Sequence, residues 1–259
     1  MQPIEIDFGK AADDYATQRQ GFPPDFMARL AAHGVGAPNQ RALDVGTGTG
    51  LMARALAQAG CTVTGLDPSP ELLAKAREAS AAEGSSIEYV EGVAEELPFE
   101  DSSFDVVTAA TCWHWFDPTP AAQEAARVLT PEGKLVIAVM DWHSPPGSVI
   151  SRTLALIHGF SAGIPAGRTT TFQYPKATGD LLAAGFRSWE LFGYTTQLSY
   201  SHEGWRGRGR ASQGVGPLMD PAHLAKFDAA LAAMLAREFP QETLAVDHRL
   251  LALIARKTA

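Results

Sequence analysis

The stretch Leu43-Asp44-Val45-Gly46-Thr47-Gly48-Thr49-Gly50 constrains this chain more than any other. Ala42 to Val45 reads as a buried strand, and it runs directly into three closely spaced glycines. Glycine adopts torsions closed to other residues and lets a ligand approach the backbone. Leu51 to Ala59 then reads as a helix closed by Gly60. Thr62 to Asp67 reads as a second strand, and Asp67 ends it about twenty residues beyond the turn, where a carboxylate can accept both hydroxyls of a ribose.

The same alternation continues. Ser69 is placed to cap a helix with Pro70 at its first position. Ile87 to Val90, Phe104 to Ala110 and Lys134 to Met140 read as further strands, and Asp117 or Thr119 opens a helix running to Leu129. Strands alternating with helices of this length imply βαβ units. The expected fold is an α/β, doubly wound, mostly parallel sheet. Past Ser144-Pro145-Pro146-Gly147 the pattern loosens. Helices are expected over 149–160 and 176–184, with a loop between them, and a helix opens at Asp220-Pro221 with Leu224, Phe227, Leu231 and Leu235 on one stripe. Phe186 to Tyr200 and Leu244 to Ala255 read as two late strands, expected to form an antiparallel hairpin at one sheet edge. The whole of 1–259 reads as one domain, with 142–175 as a small cap insertion and 201–218 as an arginine-rich loop.

A glycine turn followed by an acid fits two ligand classes. Dinucleotide binders use G-x-G-x-x-G to set a helix N-terminus against a pyrophosphate. Here the third position of that pattern is Leu51, and Asp44 stands just ahead of the turn. An acid there repels a pyrophosphate and suits a positively charged ligand, such as the amino group and sulfonium of S-adenosylmethionine. A dinucleotide-dependent oxidoreductase is therefore the weaker alternative.

Composition narrows the partners. The formal net charge of -8 over 259 residues argues against nucleic acid and anionic membrane surfaces. Cys61 and Cys112 form no metal-ligand cluster, so no metal and no disulfide framework are expected, and both read as buried small hydrophobes. The first residues carry acids rather than a basic start, and no apolar run reaches the ~20 residues of a membrane span, which gives the cytoplasm as the expected compartment. The oligomeric state is open.

Asp44 to Gly50 resembles the first motif of class I S-adenosylmethionine-dependent methyltransferases, and Gly65 to Leu72 (GLDPSPEL) resembles their second. Gly92-Val93-Ala94-Glu95-Glu96-Leu97-Pro98-Phe99 resembles the segment that holds the adenine, Ser103 to Val107 the fourth strand, and Arg127 to Leu135 the R-V-L-x-P-G-G-x-L lead into the fifth. The match covers residues 40 to 140, and the resemblance implies a doubly wound, seven-stranded, mostly parallel sheet with the last strand antiparallel. The resemblance implies that Gly46, Thr47, Gly48 and Gly50 line the methionine moiety of S-adenosylmethionine, whose product is S-adenosylhomocysteine. It implies that Asp67 and Pro68 meet the ribose, that Val93, Ala94 and Glu95 meet the adenine, and that the carbonyl near Thr111 faces the methionine amine. Val93 departs from the pattern, which often has an aspartate there, so adenine recognition rests on backbone and stacking.

Cys112-Trp113-His114-Trp115-Phe116-Asp117 resembles the H-W-F-D signature of small-molecule methyltransferases of the trans-aconitate methyltransferase type. Phe8, Tyr15, Arg19 and Pro23 resemble the N-terminal lid of that group, placed over 1–35, with Tyr15 and Arg19 toward the cofactor. His114 is the candidate catalytic residue, as a base, an orienting hydrogen bond or a packed structural histidine. Trp115, Trp142, His143, Arg206, Arg208 and Arg210 are candidates for a small-molecule acceptor, the arginines as an anion clamp or a solvated loop. The expected reaction is methyl transfer to that acceptor, at oxygen. A non-catalytic sensor or partner subunit that binds the same cofactor is the second alternative.

Overall fold

The structure is a computed structural model describing residues 20–161, 174–212, 215 and 219–257, without the side chains of 174–177. Tyr15 and Arg19, with the lid segment as far as residue 19, lie outside the described residues. The chain divides into two compact units, one built from residues 20–141, 170–194 and 250–259, the other from 1–19, 142–169 and 195–249.

The first unit opens with helix α1 (Pro24–Ala32), which buries Phe26 and Leu30, one turn apart on one face. Strand β1 (Arg41–Val45) ends in the glycine turn, and α2 (Leu51–Gln58) leaves it. β2 (Thr62–Asp67), α3 (Pro70–Ala82) and β3 (Ile87–Glu91) follow. Ser69 caps α3 by accepting the Leu72 N–H at 3.3 Å, with Pro70 at the first turn. β4 (Phe104–Ala110), α4 (Pro118–Val128) and β5 (Leu129–Trp142) complete the alternation. β5 begins earlier than expected, because Leu129 already pairs with Phe104. Glu132 stands in β5 where the resembling motif has glycine, and its backbone takes φ 65°. That left-handed conformation costs a non-glycine residue on the order of 1 kcal/mol.

Seven strands form one sheet in the order β3-β2-β1-β4-β5-β7-β6. β1 pairs in parallel with both β2 and β4, so the winding reverses between β1 and β4. In open α/β sheets ligands lie beyond the carboxyl ends of the strands at this switch point. The two late strands are β6 (Phe186–Ser201) and β7 (Thr243–Lys257), and both are longer than expected. Gly193 lies against the Leu250 carbonyl, and Gln197 bonds Asp247 at 2.9 Å, so contacts rise along one strand as they fall along the other. The hairpin is antiparallel, and β7, not β6, is its inner strand.

In the second unit α5 (Val149–Phe160), α7 (His202–Arg210) and α8 (Pro221–Glu238) enclose Trp205, which is fully buried and donates its indole N–H to Thr153 at 2.9 Å. Helix α6 (Tyr174–Ala183) comes between α5 and α7 in the chain. Of the expected cap segment 142–175, residues 142–161 fall in this second unit and residues 162–173 lie outside the described residues. The expectation of an arginine-rich loop over 201–218 is corrected across its first half, where His202–Arg210 is helical. Buried Gly209 explains it: a side chain there would meet Leu231 at 2.9 Å. Close packing of α7 on α8 overrides the poor helix propensity of glycine.

Candidate functional site

The carboxyl ends of β1, β2 and β4 bring most of the expected cofactor residues into one unit. Gly46, Gly48 and Gly50 all take left-handed torsions, with φ of 65°, 55° and 78°. A side chain at Gly46 would meet the Cys112 Cβ at 2.9 Å, and one at Gly50 would overlap the Tyr89 hydroxyl. Only glycine fits these two places, for reasons of torsion and of space together.

Two buried acids flank this turn. Asp67, 6 % exposed, accepts the Gly48 N–H at 2.8 Å on one oxygen and the Ser69 N–H at 3.0 Å on the other. Each oxygen keeps a second lone pair, which is what two ribose hydroxyls require. Burial raises its pKa, against the two amide bonds. Asp44, 1 % exposed, accepts the Thr108 hydroxyl at 2.6 Å and the Thr47 hydroxyl at 2.7 Å. Burial pushes its pKa up to about 6, against those hydroxyl bonds.

A prediction follows from the sign of that shift. The folded chain holds the Asp44 proton more tightly than the unfolded chain, whose aspartates titrate near 3.8. The stability this group contributes is therefore full below about pH 4 and lost as pH rises to about 6. In urea unfolding between pH 4 and 8, Asp44→Asn should gain stability relative to the parent up to about pH 6 and then hold a constant difference. A difference independent of pH throughout would contradict the assignment.

Several residues that shape the turn escaped the sequence reading. Thr108 reaches Asp44 from 64 residues away. Arg54 donates to the Thr49 carbonyl at 2.6 Å and pairs with Glu83 at 3.0 Å. The Cys112 thiol lies 3.1 Å from the Val45 carbonyl. Cys112 is buried as expected, whereas Cys61 is half-exposed beside the Ala37 carbonyl, a correction to its expected burial. Arg54 had no local pattern to betray it, and the contact of Cys112 with Val45 joins positions 67 residues apart.

Beyond β4, Thr111 takes φ 59°, a conformation uncommon for a β-branched residue. It donates its N–H to Ala138 at 2.7 Å, which ties the turn to β5. A 3₁₀ turn, Trp113–Trp115, follows. Trp113 and Phe116 pack against the apolar core, while the His114 ring lies 5.0 Å from that of Trp115. An apolar pocket nearby is lined in part by Val45, Ala94, Leu97, Trp113 and Phe116.

In the segment after β3, Val93 is exposed and Ala94 buried. Glu95 accepts the backbone N–H of Asp117 at 2.7 Å, which fastens this segment to the start of α4. Asp117 itself makes no side-chain cap there. Pro68 is exposed beside Asp67.

The remaining candidates belong to the second unit. The Trp142 ring lies 5.1 Å from Trp205, and the Arg208 guanidinium lies 4.9 Å over it. His143 donates its backbone N–H to Asp247 at 3.0 Å. Arg206 bonds both oxygens of Asp228, and it donates to Glu203 at 2.8 Å. Arg210 donates to Asp228 at 2.8 Å and to Glu203 at 3.1 Å. Two arginines thus face two carboxylates within the unit. This corrects the anion-clamp reading of Arg206 and Arg210, whose charges are already compensated.

Comparison with known proteins agrees with the geometry. Residues 43–137 match a family described as a methyltransferase domain. An uncharacterized methyltransferase of Mycobacterium bovis is 36% identical over 155 residues, covering 58% of this chain and 60% of that protein. A malonyl-[acyl-carrier protein] O-methyltransferase of Pectobacterium atrosepticum is 36% identical over 143 residues, covering 54% of this chain and 53% of that protein. The YcgJ protein of Bacillus subtilis shares the fold, with a TM-score of 0.60 and 18% identity over 91% of this chain and 99% of that one. The chain thus spans little more than half the length of the two curated relatives. A phosphoethanolamine N-methyltransferase 2 of Haemonchus contortus, solved in complex with S-adenosyl-L-methionine, shares the fold, with a TM-score of 0.58 and 20% identity over 97% of this chain and 57% of that one.

Proposed function

We propose that this chain, which carries a methyltransferase domain over residues 43–137, transfers a methyl group from S-adenosylmethionine to an oxygen of a small-molecule acceptor. The observation that carries the reading is the pair of buried carboxylates, Asp44 and Asp67, on either side of a left-handed glycine turn. Two negative charges disfavour the pyrophosphate of a dinucleotide and favour a cationic ligand. The free lone pairs of Asp67 suit a ribose, and the apolar walls near Ala94 suit an adenine.

When bound, S-adenosylmethionine supplies a methyl group activated by positively charged sulfur. The chain's part is alignment and exclusion of water. Asp44 supplies negative charge behind the turn, and Asp67 fixes the ribose and the Gly48 amide together. The strained Thr111 turns its backbone toward the methionine amine. His114 takes the proton from an acceptor hydroxyl, and Trp115 beside it flanks the acceptor. The Pectobacterium relative methylates at oxygen by its name, which supports the choice of atom.

A soluble metabolite extract, incubated with the protein and methyl-labelled S-adenosylmethionine, tests this. Label should pass to a small molecule and be released by mild base if it is an ester. A protein that binds the cofactor but transfers no label to any extract fraction is a sensor rather than an enzyme.

A further inference from the structure

We infer that Glu124 and Arg127 of α4 are positioning residues for adenine recognition, holding the Val93–Leu97 backbone through a charged clasp. This rests on the proposed cofactor, and it adds residues that contact no part of it.

Val93 offers no polar side-chain atom, so recognition of the adenine edge falls to the backbone of Val93, Ala94 and Glu95. A backbone can discriminate only if it is held still. Four bonds tie the stretch from Glu95 to Phe99 to α4 and its cap residue. Glu95 receives the Asp117 N–H at the amino end of the helix. About two turns further along, Glu124 accepts the Leu97 N–H at 2.7 Å. Arg127 then donates to the Leu97 carbonyl at 2.9 Å and to the Phe99 carbonyl at 2.7 Å. The same guanidinium bonds both oxygens of Glu124, at 2.7 and 2.8 Å, and reaches Asp101 at 2.9 Å. The planar fork of arginine satisfies all of these at once, which a lysine ammonium on a flexible stem cannot. Leu97 thus has both its N–H and its carbonyl fixed by one ion pair on a neighbouring helix. Phe99 is seated edge-on against Phe104, 5.1 Å between centroids, so the far end of the segment is anchored in the core.

The test uses calorimetry with S-adenosylhomocysteine and with adenosine, and amide hydrogen exchange, on the full chain. Arg127→Met should weaken both ligands about tenfold, the equivalent of one good hydrogen bond to a charged partner. Exchange should quicken at Ala94 to Leu97 and stay unchanged at Gly46 to Gly50. Arg127→Lys should recover only part of the affinity. Glu124→Gln keeps the shape and guards against a variant that fails to fold, and it should show the same pattern more weakly. Unchanged affinity in both Arg127→Met and Glu124→Gln overturns the inference, as does a loss accompanied by faster exchange throughout the glycine turn. If the unaltered protein binds neither ligand, the cofactor reading itself falls and takes this inference with it. If it binds both and the variants do too, only the clasp is wrong.

Discussion

Asp67→Ala is expected to weaken S-adenosylhomocysteine binding by about 3 kcal/mol, on the order of 100-fold in Kd. The carboxylate would accept two ribose hydroxyls, each a hydrogen bond to a charged group. Its removal also frees the Gly48 amide, now held at 2.8 Å, so the turn loses its placement. The expected cost is therefore not confined to the ligand. The Gly48 and Ser69 amides both lose a buried partner, and the melting temperature should fall as well. Asp67→Asn separates the two effects. One amide oxygen can still accept the Gly48 N–H, while the second oxygen is gone, so stability should return further than affinity. Calorimetry and thermal unfolding of both variants read this directly. Native affinity in Asp67→Ala would remove Asp67 from the cofactor site.

His114→Ala is expected to lower kcat by a factor of roughly 10² to 10⁴ once an acceptor hydroxyl is in hand. The base form of a histidine is lost below its pKa, so the parent enzyme should show an acidic limb in kcat/KM that the variant lacks. Cofactor binding should be unaltered, because Trp113 and Phe116, which pack against the core on either side of His114, are left in place. A smaller loss with the acidic limb intact means that His114 orients the acceptor. A lower melting temperature together with weaker cofactor binding means that it serves structure alone.

What was legible in the sequence is what depends on neighbours along the chain. The glycine turn, Asp67 at the end of β2, and the Ser69 cap with Pro70 are set by local spacing, and the structure has them as read. What was not legible depends on contacts between distant segments. Thr108 meets Asp44 across 64 residues, and the place of β7 inside β6 follows from sheet pairing rather than from either strand's own residues. The arginine-rich stretch misled for the same reason. Three arginines among glycines read as a loop by propensity, yet Trp205 and Gly209 pack inward and make it a helix. The charges of Arg206 and Arg210 suggested an anion site until Glu203 and Asp228 were seen to face them. The Glu124–Arg127 clasp could have been suspected from its i,i+3 spacing, but nothing in that spacing names Leu97 and Phe99 as its other partners.

The central claim is that the turn between Asp44 and Asp67 holds S-adenosylmethionine. Isothermal calorimetry of the unaltered protein against S-adenosylhomocysteine and, separately, NAD and NADP tests it most directly. Saturable one-to-one binding of S-adenosylhomocysteine with no heat from either dinucleotide is the expected result. Saturable binding of NAD or NADP, with none of S-adenosylhomocysteine, would contradict it.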